Sequence, residues 1–165
     1  MDLTTLLADP AAISLVAFVS HENAITIVVH ASQTKSACPL CGQYSASLHS
    51  NYVRNVSDLP WHGVAVNLEL HTRKFRCRNE LCKRKIFCER LPNVVAVMAR
   101  KTSRLNSVLT FLAFAVGGSM GARTAQKLNI QISGDSLLRR IRQHSFVENR
   151  STLAFCTKSQ TIEPS

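Results

Sequence analysis

The sequence predicts an α+β chain, with a small β-rich module first and three short helices after it. Three observations carry that prediction. Residues 13–31 are rich in β-formers around a turn, and apolar residues alternate with a period of two at Ile25, Ile27 and Val29 and again through Val64 to Leu70. After Pro92 the apolar spacing changes to a helical period. Four of the six cysteines fall into two short-spaced pairs inside the β-rich stretch.

Taken in chain order, Ile13 to Val19 is rich in β-formers, His21-Glu22-Asn23 supplies turn residues, and Ile25, Ile27 and Val29 alternate, which together predict a hairpin. Val64, Val66, Leu68 and Leu70 share one face of the next strand. Ala65, Asn67, Glu69, His71 and Arg73 share the other, so the strand is expected to be half-buried. Pro60 is expected to break the chain just before it. Thr102 or Ser103 can cap a first helix whose stripe is Leu105, Val108, Leu109, Leu112 and Val116, with Gly117-Gly118 as its stop. A second helix fits Ser119 to Leu128, with Ala122, Ala125 and Leu128 inward. After a turn over 129–133, Ser133 can cap a third helix running to about His144, with Leu137, Leu138 and Ile141 inward. The expected division is a hairpin region over 1–37, a cysteine module over 38–92, a helical unit over 93–144 and a loose tail over 145–165.

Composition narrows the function classes. A chain that is 45% hydrophobic has enough apolar surface for a packed core. Its longest apolar stretch, Val108 to Val116, is far short of the roughly 20 residues that span a bilayer. The opening MDLTTLLADPAA has no basic n-region, so no secretory signal is expected. These features argue against a membrane protein, a collagen-like chain and a secreted disulfide miniprotein, and a cytoplasmic setting is expected.

The net charge of +10 is concentrated. Residues 1–70 hold two cations against five acids, whereas residues 71–104 hold eleven cations against Glu80 and Glu89. Such a run repels itself unless an anion relieves it, so an anionic partner is expected. Arg73, Lys74, Arg76, Arg78, Lys83, Arg84 and Lys85 are the candidate phosphate contacts.

Cys38-Pro-Leu-Cys41-Gly42 is a C-x2-C knuckle, and Cys77 and Cys82 form a C-x4-C pair. Two such thiolate pairs supply the four soft ligands that a tetrahedral Zn²⁺ requires. A disulfide framework lacks its secretory context, and a redox CxxC lacks a βαβ setting. Cys88 also lies downstream of Cys77 and competes with Cys82 for the fourth position; Cys156 is expected to be free. Four thiolates close the coordination shell, so the zinc is expected to be structural. The six histidines have no paired spacing and read as surface or packing residues, and Trp61, the single tryptophan, reads as a packing anchor against the cysteine module.

Three short helices with a tight turn between the last two suit a helix-turn-helix. Opposite the apolar side of the third lie Ser136, Arg139 and Gln143, flanked by Arg140 and Arg142. Arg pairs with guanine and Gln with adenine in the major groove, so this face is a candidate reader of duplex DNA.

CPLCG, HSNYVRNVSDLPWHG, RKFRCRNELCKRKIFCERLP, the Gly117-Gly118 break and SLLRRIRQ, in this order, resemble the N-terminal part of the ISL-three family of insertion-sequence transposases. The resemblance runs from about Leu6 to Gln143. It implies that Cys38, Cys41, Cys77 and Cys82 hold Zn²⁺, that a helix-turn-helix follows, and that the chain binds the terminal inverted repeats of a bacterial mobile element. Further copies of the chain or a full-length transposase are its candidate protein partners, with nucleoid DNA as its setting. Family members move their element by metal-dependent DDE strand transfer. Asp135, Glu148 and Glu163 do not resemble that catalytic triad, and FVENRSTLAFCTKSQTIEPS does not resemble the start of the catalytic domain. The expectation is therefore a transposase truncated before its catalytic core, with no catalytic residues of its own. The rival reading is a zinc-stabilised module that contacts protein or RNA without DNA specificity.

Overall fold

The computed structural model describes residues 7–143. It is a mixed α+β structure that divides into two compact units, one up to Ser107 and the other from Val108. Among the described residues no helix is long and apolar enough to cross a membrane.

The first unit is built on a five-stranded sheet. Strands β1 (Ile13–Ser20) and β2 (Ala24–Ala31) form the expected antiparallel hairpin. β3 (Ser36–Ala37) and β4 (Tyr44–Ser45) make a separate two-stranded ribbon. β5 (Leu48–Trp61) and β6 (Val64–Arg76) are long and antiparallel, and β7 (Ile86–Cys88) pairs with the end of β6. The sheet order is β1-β2-β6-β5, with β2 and β6 parallel. The N-terminal hairpin and the strand that leads to Cys77 thus share one sheet.

Register explains the core. Ile25, Ile27 and Val29 stand beside Val66, Leu68 and Leu70, and across β6 Val56 stands opposite Leu68. Leu7, Ala12, Leu91, Val94 and Val95 join this apolar cluster. Burying it supplies the main folding free energy of the unit, at about 25 cal/mol per Å² of apolar surface removed from water.

Pro60 does not break the chain. β5 runs through it to Trp61, with its pairing shifted between Asp58 and Trp61, the kind of irregularity that tolerates a residue without an N–H. The actual turn is His62-Gly63, both at positive φ (47° and 77°), which suits the twist of a two-residue hairpin loop. Trp61 is a packing residue, but its partners are Phe18 on β1, ring centroids 5.9 Å apart, and the sheet core rather than the cysteine module.

α1 (Ser103–Val116) starts where Thr102 caps it, its Oγ1 accepting from the Leu105 amide at 3.2 Å. The Thr102 hydroxyl in turn donates to the buried Asp58 carboxylate at 2.7 Å, and the same carboxylate accepts from Arg104 Nε at 2.8 Å and from Arg104 Nη2. Leu105, Leu109 and Ala113 are the buried face, and Val108 and Val116 are exposed, which corrects the expected stripe. Gly117 ends the helix as expected.

In the second unit α2 (Gly118–Lys127) is followed by α3, described over 134–143. Ala122 and Ala125 are buried, but Leu128 is exposed and Ile130 takes the inward place. The reason is the helix end. Asn129 adopts φ 56°, its amide donates to Gln126 O, and the Ile130 amide donates to Ala125 O at 2.9 Å. This is a Schellman closure, which turns the following residue back onto the helix. Ser133 caps α3 through the Ser136 amide at 3.3 Å. Leu137 is fully buried and Ile141 half-buried, whereas Leu138 is exposed rather than inward. A methyl group on Gly118 would lie 2.6 Å from Leu138 Cγ and 3.0 Å from Gly134 O, so the absence of a side chain sets how closely α2 and α3 approach. The expected tail over 145–165, with Cys156, Glu148 and Glu163, lies outside the described residues.

Candidate metal centre and its basic surround

The β3–β4 ribbon exists to present Cys38 and Cys41. The Cys38 amide donates to Gln43 O at 2.9 Å and the Gly42 amide to Cys38 O at 2.8 Å, closing a tight knuckle. Gly42 sits at φ 74°, where a side chain would strain the backbone. Ser45 Oγ donates to Arg76 O at 2.6 Å, and the Arg76 amide to Ser47 O, which fastens the ribbon to the end of β6. β6 delivers Cys77 there. The Cys77 amide donates to Lys85 O, while Asn79 turns the loop by accepting from the Leu81 amide on its side chain and the Cys82 amide on its carbonyl.

The result is one group of four sulfurs, Cys38, Cys41, Cys77 and Cys82, all within 4.8 Å of one another. Cys38 Sγ lies 3.9 Å from Cys82 Sγ, and Cys41 Sγ lies 3.7 Å from Cys77 Sγ. A regular tetrahedron with Zn–S bonds of about 2.3 Å has edges of about 3.8 Å, so the spacing suits zinc. Cys88 is exposed on β7 opposite Lys74 and is not among the four.

Cys38 and Cys82 are buried against Phe75 and Phe87, whose rings lie 6.0 Å apart, while Cys41 is exposed. Burial opposes ionisation of Cys38, but the amides of Cys41 and Leu40 and the neighbouring thiols outweigh it and lower its pKa to about 7. At Cys77 the Asn79 amide favours the thiolate, yet burial and the neighbouring cysteines push the pKa up to about 12. Cys82 is also raised, the Arg84 amide being outweighed by burial and by Cys41. Four thiols this close cannot all ionise without a cation, and a divalent metal resolves the conflict.

Residues 34–82 match the family described as zinc-finger of transposase IS204/IS1001/IS1096/IS1165. That span covers both cysteine pairs and β3 to β6. No curated protein and no solved structure matches the chain. The family match and the sulfur tetrad together suit structural zinc binding.

The cations around this centre differ in what they touch. Arg73 is held in the fold: its guanidinium donates to both carboxylate oxygens of Glu89 (3.2 and 3.4 Å) and to Ala31 O at 3.0 Å, and the Glu89 side chain is fully buried. Lys74 lies over the Tyr52 ring, 5.1 Å from its centroid. Arg78 donates to Ser47 Oγ at 2.7 Å and Lys85 to Glu80 O at 3.3 Å, both at the surface. Arg76, Lys83 and Arg84 are exposed. On α3, Arg139, Arg142 and Gln143 are exposed, Ser136 is half-buried beside its cap, and burial lowers the Arg140 pKa. Sequence reasoning passed over Asp58 with Arg104, whose pairing spans β5 and α1, and the cations Arg54, Arg90 and Arg100 around a groove of the first unit. No local motif announces either.

Proposed function

We propose that this chain recognises DNA at the ends of a mobile element, as the zinc-stabilised recognition part of a transposase acting on bacterial nucleoid DNA. The observation that carries the reading is the sulfur tetrad inside a transposase zinc-finger match, set in a strongly basic stretch. The zinc does no chemistry in this reading: four thiolates leave no open position for water or substrate. It fixes the knuckle and the loop of residues 77–82, and so fixes Arg76, Arg78, Lys83, Arg84 and Lys85 as phosphate contacts. α2, the turn and α3 then act as a helix-turn-helix, with Arg139, Arg142 and Gln143 reading base edges of the terminal inverted repeats. DDE strand transfer needs carboxylates that hold two metal ions. The reading rests on the cysteine tetrad and the basic stretch beside it, and the step it assigns to this chain is recognition.

The test separates the two kinds of contact. Replacing Arg84 and Lys85 by Ala is expected to weaken binding to every duplex and to reduce the salt slope by roughly 1 per lost contact. Replacing Arg139 or Gln143 by Ala is expected to reduce discrimination between terminal-repeat and random duplex by about 1–3 kcal/mol per base contact. Equal losses on both duplexes from both sets would contradict this division.

A further inference from the structure

We infer that the free edge of β5 and the groove beside it bind an acidic, extended peptide segment of a partner protein as an added strand. β5 is the last strand of its sheet. At Ser57 the edge is already used in this way: its amide donates to Arg100 O at 3.0 Å and its carbonyl accepts from the Thr102 amide at 3.0 Å, a parallel bridge with Lys101. Residues 50–58 keep a regular register against β6. In a regular strand alternate residues point their N–H and C=O to the same side, so Val53 and Asn55 present theirs to the edge in line with Ser57. The segment 100–102 stops at Ser57, and a groove of about 760 Å³ begins there, lined by Val53, Arg54 and Asn55 on one side and by residues 96–100 on the other.

The chemistry of the groove narrows the occupant. Its floor includes Leu70, Leu91 and Val95, continuous with the sheet core, which suits an apolar side chain. Arg84, Arg90 and Arg100 line it, together with Arg54, whose Nη2 donates to Ala99 O on the opposite side. The carboxylate among the lining residues, Glu89, is already paired with Arg73. An anionic ligand with alternating apolar groups is therefore complementary. The edge itself separates peptide from nucleic acid. Val53 and Asn55 offer carbonyl acceptors as well as amide donors at the repeat of a β-strand. A peptide backbone answers both, whereas a phosphodiester backbone carries no donor for the carbonyls. A second copy of this chain is disfavoured by its own charge of +10 and would set Arg54 near Arg54.

The experiment uses the full chain with zinc bound and a fluorescent peptide of about seven residues, alternating Glu and Val, long enough to cover this edge at roughly 3.3 Å per residue. Anisotropy is expected to show saturable binding that falls by about tenfold or more when alternate peptide amides are N-methylated, which removes the strand hydrogen bonds. Val53→Pro removes one outward N–H at an edge position where proline is tolerated and is expected to lose binding, while Val53→Thr keeps it. Arg90→Glu is expected to lose binding with zinc content and circular dichroism unchanged, so the inference remains testable if Val53→Pro does not fold. Equal binding of the methylated peptide, or of a Lys-Val peptide, would overturn the inference. So would a thymidine oligonucleotide that binds in place of the Glu-Val peptide and is lost on Arg90→Glu, or a dimer of the chain that Val53→Pro abolishes.

Discussion

Cys38 and Cys77 have the same side chain and opposite ionisation, one lowered to about 7 and the other pushed up to about 12 from an ordinary 9.0. Cys77 and Cys82 are both raised by burial and by the neighbouring cysteines, so without metal the cluster retains protons that zinc must displace to bind. Zinc affinity is therefore expected to rise with pH and to fall as acid returns protons to the sulfurs. Calorimetry in buffers of different ionisation enthalpy should register proton release at pH 8; a pH-independent affinity with no release would count against thiolate ligation. Serine at Cys38 or Cys77 is expected to abolish zinc uptake and unfold the module, since such sites contribute on the order of 10 kcal/mol of metal binding. Serine at Cys88 should leave zinc content at one per chain by elemental analysis. The two pairs were legible because each is local. The choice between Cys82 and Cys88 was not, because it depends on β7 folding back along β6 to set Cys88 opposite Lys74.

At the scale of elements, long-range pairing decided what local pattern could not. β5 reads LHSNYVRNVSDLPW, polar and containing proline, and it is a strand because β6 pairs along its length. Arg104 counted only as one more cation until β5 placed the Asp58 carboxylate at the start of α1. Arg104→Ala leaves that carboxylate buried without its cation and is expected to cost about 3 kcal/mol in urea unfolding. Arg90→Ala, at an exposed position, should stay within about 0.5 kcal/mol. The helices were the more readable half. Thr102 and Ser133 cap as their sequence context suggests, and the Gly117 break was visible. The exchange of Leu128 for Ile130 was not, because it follows from a backbone closure rather than from periodicity. Gly118→Ala should force α2 and α3 apart and destabilise the helical unit by about 1–3 kcal/mol in thermal unfolding followed by circular dichroism. An unchanged melting temperature would show that the close approach there is not needed.

For the whole molecule, charge was legible in amount and only partly in use. Of the basic residues between 71 and 104, Arg73 and Arg104 are paired with the carboxylates of Glu89 and Asp58, while Arg76, Lys83 and Arg84 reach solvent near the zinc loop. The α+β class and the two cysteine pairs followed from periodicity and spacing. The β5 groove did not, since its arginines come from separate segments of the chain. The central claim, recognition of element ends by a zinc-stabilised basic chain, is tested most directly by one titration. Fluorescence anisotropy would compare a duplex carrying the element's terminal inverted repeat with a scrambled duplex, at about 50 and 200 mM salt. The account predicts affinity for both that falls steeply with salt and a preference of about a thousandfold or more for the repeat. Equal affinity for the two duplexes, or binding that salt leaves unchanged, would contradict it.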